Sequence, residues 1–236
     1  VTGSLTAREF PGQNAMKIGI IGATGKVGSL LTKELKDRGH AVTAIIRNPN
    51  KLTDREIPLI ERNIFYITED VLQGFDVIVD AFGTQDEERL EYQYQTSMFT
   101  LIHALEHHPE TRFIVVGGAA SLFTDESRVH RVLESLPEEY SYIPENAFAA
   151  YKMLADSSVN WTYFSPAVEF SYTGERTGRY TLGEDVVITN SLGESYISYS
   201  DYVIALADEI EQPKHIRKRF TAVGERHASA PTPVVP

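Results

Sequence analysis

The stretch that most constrains this chain is Lys17 to Gly28, which reads Lys-Ile-Gly-Ile-Ile-Gly-Ala-Thr-Gly-Lys-Val-Gly. Ile18, Ile20 and Ile21 make a short apolar run of the kind found in a strand buried on both faces. The run leads without a spacer into Gly22, Gly25 and Gly28, and then into Leu30, Leu31 and Leu35 at helical spacing. Strand, glycine turn and helix N-terminus together form a cradle for phosphate. Backbone N–H groups and the positive end of the helix dipole face an anion, and the missing side chains let it come close.

The segments that follow repeat the alternation. Ser29 to Arg38 predicts a helix closed by Gly39, and Ala41 to Ile46 a second buried strand that stops at Arg47-Asn48-Pro49-Asn50-Lys51. Ile57 to Ile60 is a weaker third strand and Asp76 to Phe82 a stronger fourth. Glu87 to His107 reads as a helix, with Leu90, Tyr94, Met98, Leu101, Ile102 and Leu105 on one side, and Phe113 to Val116 as a fifth strand. Ala147 to Asp156, Asn160 to Phe164, Ser200 to Ile210 and Arg219 to Val223 add helix, strand, helix and strand. Strands alternating with helices predict an α/β fold, a Rossmann-type doubly wound parallel sheet. Residues 122–146, with Pro137 and Pro144, and 167–199, punctuated by glycines, predict a small substrate-side lobe in the C-terminal half. One domain is expected over residues 16–224. Residues 1–15 lack periodicity and read as an added leader ahead of a natural start at Met16, and 225–236 as a disordered tail.

Composition removes several classes of function. A net charge of −11 argues against a nucleic-acid or anionic-membrane partner, either of which would need a positive face. With no cysteine there is no disulfide, thiolate nucleophile or thiolate metal site. His107 and His108 are adjacent, so on a helix they point about 100° apart and would chelate poorly; no metal site is expected. No run approaches the ~18 apolar residues of a membrane span and no signal-peptide pattern is present, so the expected location is cytoplasmic.

The end of the second strand bears on the choice of dinucleotide. An acid there would accept hydrogen bonds from a ribose 2′-hydroxyl, whereas an arginine would meet a 2′-phosphate. The chain places Arg47 there, followed by Lys51, and has no carboxylate between Ala41 and Lys51. A guanidinium can clamp a phosphate through two hydrogen bonds and stack on adenine, so NADPH is favoured over NADH.

With these residues in view, the chain resembles the atypical short-chain dehydrogenase/reductases with an NmrA-like NAD(P)-binding domain, in particular the bacterial group of proposed NADH-flavin reductases. The likeness runs through the glycine turn, Thr43 to Asn48, Val115 to Leu122, Asn160 to Pro166 and Gly174 to Tyr180. It implies that Gly22, Thr24, Gly25, Lys26, Val27 and Gly28 line the diphosphate and that Asn63 and Ile64 hold adenine, with Asn63 replacing the usual acid. It also implies that Phe82 and Gly83 flank the nicotinamide ribose, that Ser165 and Pro166 cover the nicotinamide face, that Gly118 belongs to the cofactor site, and that Ser121 polarises a substrate carbonyl. Capping of a turn after the fifth strand is an equally simple role for Ser121.

One departure matters. Carbonyl reductases of this superfamily use Tyr-x-x-x-Lys, in which the lysine favours proton donation by the tyrosine. None of the twelve tyrosines has lysine four residues later, and Tyr151 and Lys152 are neighbours. A flavin or quinone acceptor relaxes that requirement, because hydride goes to an electron-poor ring and solvent can supply the proton. Phe82, Phe123, Tyr151, Phe170 and Tyr172 are expected on carboxyl-edge loops, where they could offer a stacking surface. The sequence therefore predicts an NADPH-dependent reductase of a small conjugated acceptor. The alternative is a non-catalytic NADP-binding sensor; epimerisation of a nucleotide sugar normally needs the same missing pair and ranks last.

Overall fold

A computed structural model describes residues 15–84 and 90–227. Most of the expected leader, most of the expected tail and the first turn of the expected 87–107 helix lie outside the described residues.

The first half follows the alternation read from the sequence. Strand β1 (Lys17–Ile21) leads into helix α1 (Lys26–Asp37), then β2 (Ala41–Ile46), β3 (Leu59–Glu61), a single helical turn α2 (Glu69–Leu72), β4 (Val77–Asp80), α3 (Leu90–Leu105) and β5 (Arg112–Val116). The second half contains α4 (Glu138–Ala155), β6 (Trp161–Ser165), β7 (Glu169–Ser171), β8 (Tyr180–Gly183), β9 (Tyr196–Ser198), α5 (Tyr199–Glu211) and β10 (Lys218–Gly224).

Eight strands form one sheet in the order β3-β2-β1-β4-β5-β6-β10-β8. The chain winds outward from β1 through β2 to β3, then restarts on the other side of β1 with β4. This reversal opens a crevice at the carboxyl ends of β1 and β4, where open α/β sheets bind ligands. All pairs are parallel except β8 with β10.

Both faces of the sheet are covered. Leu31 and Leu35 of α1 and Tyr202, Val203 and Leu206 of α5 pack on one face with Ile18, Ile20 and Phe220. Met98, Leu101 and Leu105 of α3 and Ala150 and Leu154 of α4 pack on the other with Ile78, Phe113 and Trp161. This double burial explains why the strands read as continuous apolar runs rather than alternating ones.

The sequence expectation needs correction in two places. The sheet is not wholly parallel: Tyr180–Gly183, expected within the lobe, forms the edge strand β8 and pairs antiparallel with β10, while β7 and β9 form a separate two-stranded parallel ribbon. And α4 starts at Glu138 rather than Ala147, with Pro144 inside it. The carbonyl that Pro144 leaves without a helical donor is that of Tyr140, an exposed residue, so water can satisfy it and the helix continues.

Candidate functional site

The glycine turn closes on itself through Gly25 N–H donating to the Gly22 carbonyl at 2.9 Å. Gly22 has φ +76°, and a Cβ there would stand 2.8 Å from the Ala81 carbonyl oxygen. A Cβ on Gly28 would lie 2.1 Å from the Gly22 oxygen. These two glycines are thus required by the protein's own packing. Gly25 differs: it is exposed, sits at the N-cap of α1, and offers no side chain to the first-turn N–H groups. There is no acid in that turn either. The amides of Lys26, Val27 and Gly28 therefore keep their capacity for an anion, which is the fit expected of a dinucleotide diphosphate. Thr24 is half-buried beside them, and the Lys26 Nζ stands 5.0 Å from the ring centroid of Tyr172.

At the adenosine end, Arg47 leaves β2 exposed, and its side chain has no hydrogen-bond or ion partner among the described residues. The sequence reading missed a second cation. Ile46 of β2 is in register with Glu61 of β3, and the next residue, Arg62, donates its N–H to the Ile46 carbonyl at 2.8 Å. Arg62 is likewise exposed and without an ion partner among the described residues, so two guanidinium residues leave adjacent strand ends. Lys51, also exposed, ends a short 3-10 turn over Pro49–Lys51. Asn63 accepts the Phe65 N–H through Oδ1 at 3.2 Å, which commits its oxygen to a turn and leaves its NH2 as the group facing outward chemistry. Ile64 is buried beneath it.

Between these ends lies Asp80, the last residue of β4, which the sequence reading passed over as strand. It is buried, accepts the Phe82 N–H at 3.0 Å, and has its carboxyl pushed up to about 7 by desolvation, with that one backbone hydrogen bond opposing. The Phe82 ring meets Phe65 and Tyr94 edge-on, each at 6.1 Å, while Gly83 has open space around it.

The loop that leaves β5 is built differently. A Cβ on Gly117 would overlap the Tyr163 ring at 2.1 Å, and Gly118 N–H donates to the Tyr163 hydroxyl at 3.3 Å, so this glycine pair is shaped by a side chain of β6. Ser121 is buried, and its Oγ accepts from Arg219 Nη1 at 2.9 Å while its carbonyl accepts from the same nitrogen at 3.0 Å. Its oxygen is thereby held by a residue of β10, while the bond leaves the O–H proton to donate elsewhere. Pro166 is buried, and its carbonyl is 3.4 Å from the Thr221 hydroxyl.

Of the five aromatics expected on loops, Tyr151 is instead in α4, packed on Tyr163 at 4.6 Å and on Trp161 at 6.2 Å. Lys152, next to it, is exposed and turns to Phe148, its Nζ 5.0 Å from the ring centroid. Phe170 stacks on Tyr199 at 3.9 Å and packs against Tyr202 at 4.9 Å, a packing contact. Tyr172 is exposed near the glycine turn, and Phe123 lies under the Arg131 guanidinium at 3.8 Å. Arg131 and Arg219 were not foreseen; Arg219 and Ser121 are 98 residues apart, a separation that no local pattern marks.

Among the described residues no group of three or more His, Cys, Asp or Glu is arranged to hold a metal ion. His103 and His107 do flank Glu106, at 2.8 and 3.7 Å, as an exposed trio of side chains. No described helix is long and apolar enough to cross a membrane.

Residues 22–212 match the family described as NAD(P)H-binding, a span running from the first glycine of the turn to the end of α5. The chain belongs to that family. Membership agrees with the crevice at β1 and β4 and with the uncapped start of α1. An uncharacterised protein of Bacillus subtilis, YwnB, is 43% identical over 89% of this chain and 99% of its own length. The crystal structure of SP1627 from Streptococcus pneumoniae, described as "a putative NADH-flavin reductase", is 37% identical, with a TM-score of 0.84 over 89% of this chain and all of that one. A short-chain dehydrogenase/reductase of Veillonella parvula, solved in complex with NADP, shares the fold at 20% identity, with a TM-score of 0.65 over 89% of this chain and 94% of that one. The family and these likenesses support a nucleotide-dependent oxidoreductase.

Proposed function

We propose that the protein is an NADPH-dependent reductase of a flavin or a similar conjugated acceptor such as a quinone. The observation that carries this reading is the pairing of an uncapped, acid-free α1 N-terminus with Arg47, which has no partner among the described residues, at the far end of the same carboxyl edge. The first suits a diphosphate and the second a 2′-phosphate. When bound, NADPH supplies a hydride. The chain's own residues bind and orient: the amides of Lys26 to Gly28 take the diphosphate, and Arg47, with Arg62 and Lys51, takes the phosphate of the adenosine half. Phe82 and Gly83 shape the crevice floor, and Asp80 holds the Phe82 amide in place. The relative in Streptococcus is named for NADH; the two arginines beside β2 and β3 argue for NADPH in this chain.

A flavin-like acceptor follows from the proton inventory. No tyrosine has lysine one turn along. A conjugated ring can take hydride while solvent provides the proton. The decisive experiment follows NADPH absorbance in the presence of FMN, riboflavin and quinones. Turnover of at least one is expected; tight NADPH binding with turnover of none would overturn the reductase.

That outcome would favour a second reading, a non-catalytic NADP-binding sensor. The missing Tyr-x-x-x-Lys pair is the observation on its side.

A further inference from the structure

On the acceptor side two guanidinium groups converge on one backbone oxygen. Arg219 is 6% exposed and its Nη1 donates to both the Ser121 carbonyl and Oγ. Arg131, half-buried, also donates its Nη1 to the Ser121 carbonyl. Among the hydrogen bonds of the described residues each guanidinium uses Nη1 alone, and the Arg219 Nε is buried with no partner. Neither group forms an ion pair with a carboxylate among the described residues. Asp185 attracts Arg219 from a distance, but its Oδ1 stands 3.2 Å from the Nη2 of Arg128. Arg131 and Arg219 repel each other, and burial adds to the cost of keeping Arg219 charged.

Fixing the Ser121 loop does not require this. A carbonyl oxygen has two lone pairs that neutral donors could fill without placing two like charges side by side. Removing charges from water without a counter-charge is costly. An arrangement of this kind is relieved by an anion. The surroundings say what kind of molecule would carry it. The Arg131 guanidinium lies between Phe123, at 3.8 Å, and Phe148, at 4.7 Å, and the Arg219 guanidinium is 4.9 Å from the centre of the Tyr151 ring. Aromatic faces thus stand beside surplus N–H donors, at the loop that leaves the carboxyl end of β5.

We propose that Arg131 and Arg219 form an anion subsite for the acceptor, which is therefore a planar conjugated molecule bearing a phosphate or carboxylate group. This rests on the reductase reading for the acceptor's role, but the anion subsite itself does not. The unengaged edges of the two guanidiniums hold the anionic group by charge-assisted hydrogen bonds, and the aromatic faces border the ring system. The positive charge of the subsite selects among acceptors that the hydride step would treat alike.

The test compares FMN with riboflavin, which share a ring system and differ in the phosphate, and a carboxylated naphthoquinone with its neutral parent. Wild-type protein is expected to show a KM at least tenfold lower for the anionic member of at least one pair. Which pair responds identifies phosphate or carboxylate as the source of the charge. In Arg131→Met that ratio should fall severalfold towards one, with Arg131→Lys between the two. Arg131 carries the test because it is only half-buried, and circular dichroism confirms that the variant is folded. Equal KM values in the wild type, or an unchanged ratio in folded Arg131→Met, would overturn the subsite. Titration with inorganic phosphate under saturating NADP separates this from failure of the reductase. Arg131-dependent phosphate binding without turnover of any acceptor would retain the subsite and discard the redox role. Absence of both would overturn both.

Discussion

The glycine turn and the Ser121 loop both leave carboxyl ends of the same sheet, yet they are made in opposite ways. The turn is local: Gly22, Gly25 and Gly28 pack on one another and on Ala81, and nearly every contact that shapes it lies within one strand–helix unit. The Ser121 loop is assembled from a distance, by Tyr163 of β6, Arg131 of the following loop and Arg219 of β10. A phosphate site that serves any dinucleotide can be encoded in a short motif. A site that chooses an acceptor draws on whichever elements the fold brings beside it.

The largest effect expected from this contrast is at Gly28. Gly28→Val would force a side chain into the Gly22 carbonyl and should cost about 5 kcal/mol or prevent folding, read by urea denaturation. A near-wild-type midpoint would mean that the turn is less self-packed than its geometry shows. Next comes Asp80, which stands between the two regions. Its folded-state value of about 7 lies above the ordinary 3.8, so folding takes up a proton between those values. The stability this residue contributes is fully present below about pH 4 and is lost as the pH rises to 7, by on the order of 1 kcal/mol per pH unit across that window. Asp80→Asn should flatten the fall in Tm over the same range; parallel wild-type and variant profiles would remove Asp80 as the cause.

Arg47→Ala is expected to weaken NADPH binding by about 10- to 100-fold while NADH changes little, measured by titrating the fluorescence of each. Arg62→Ala should act in the same direction and by less, since Arg47 occupies the end of β2, the position that reads the 2′ substituent. An unaltered NADPH to NADH ratio in both variants would place the 2′-phosphate elsewhere. The smallest effect belongs to Tyr163→Phe, which removes the acceptor of the Gly118 N–H and should cost about 1 kcal/mol. A larger loss in thermal unfolding would show that the Ser121 loop depends on this hydroxyl for more than one hydrogen bond.

Legibility followed the same division. The strand–turn–helix at Lys17 to Gly28 and the alternation of strands with helices could be read because each depends on residues close in sequence. The start of α4 could not, since Pro137 and Pro144 read as breakers, whereas the carbonyl that Pro144 frees belongs to solvent-exposed Tyr140. Nor could the antiparallel edge: Tyr180–Gly183 has the short, glycine-ended look of a loop strand, and only β10 supplies its partner. Arg62 lay within reach of the sequence, since placing β3 beside β2 in parallel register sets its end next to Arg47. The expected third strand ended one residue early and hid that relation.

By itself the sequence determined the strand–glycine turn–helix unit, the cation at the end of β2 and the doubly wound alternation, because backbone sterics and hydrophobic periodicity act over a few residues. Tertiary structure alone decided that Asp80 is buried against one hydrogen bond, that Arg62 stands beside Arg47, and that Arg131 and Arg219 meet at Ser121. Those outcomes depend on desolvation and on polar groups brought together across the fold, 98 residues apart in the case of Ser121 and Arg219, which no local pattern records until the sheet is assembled.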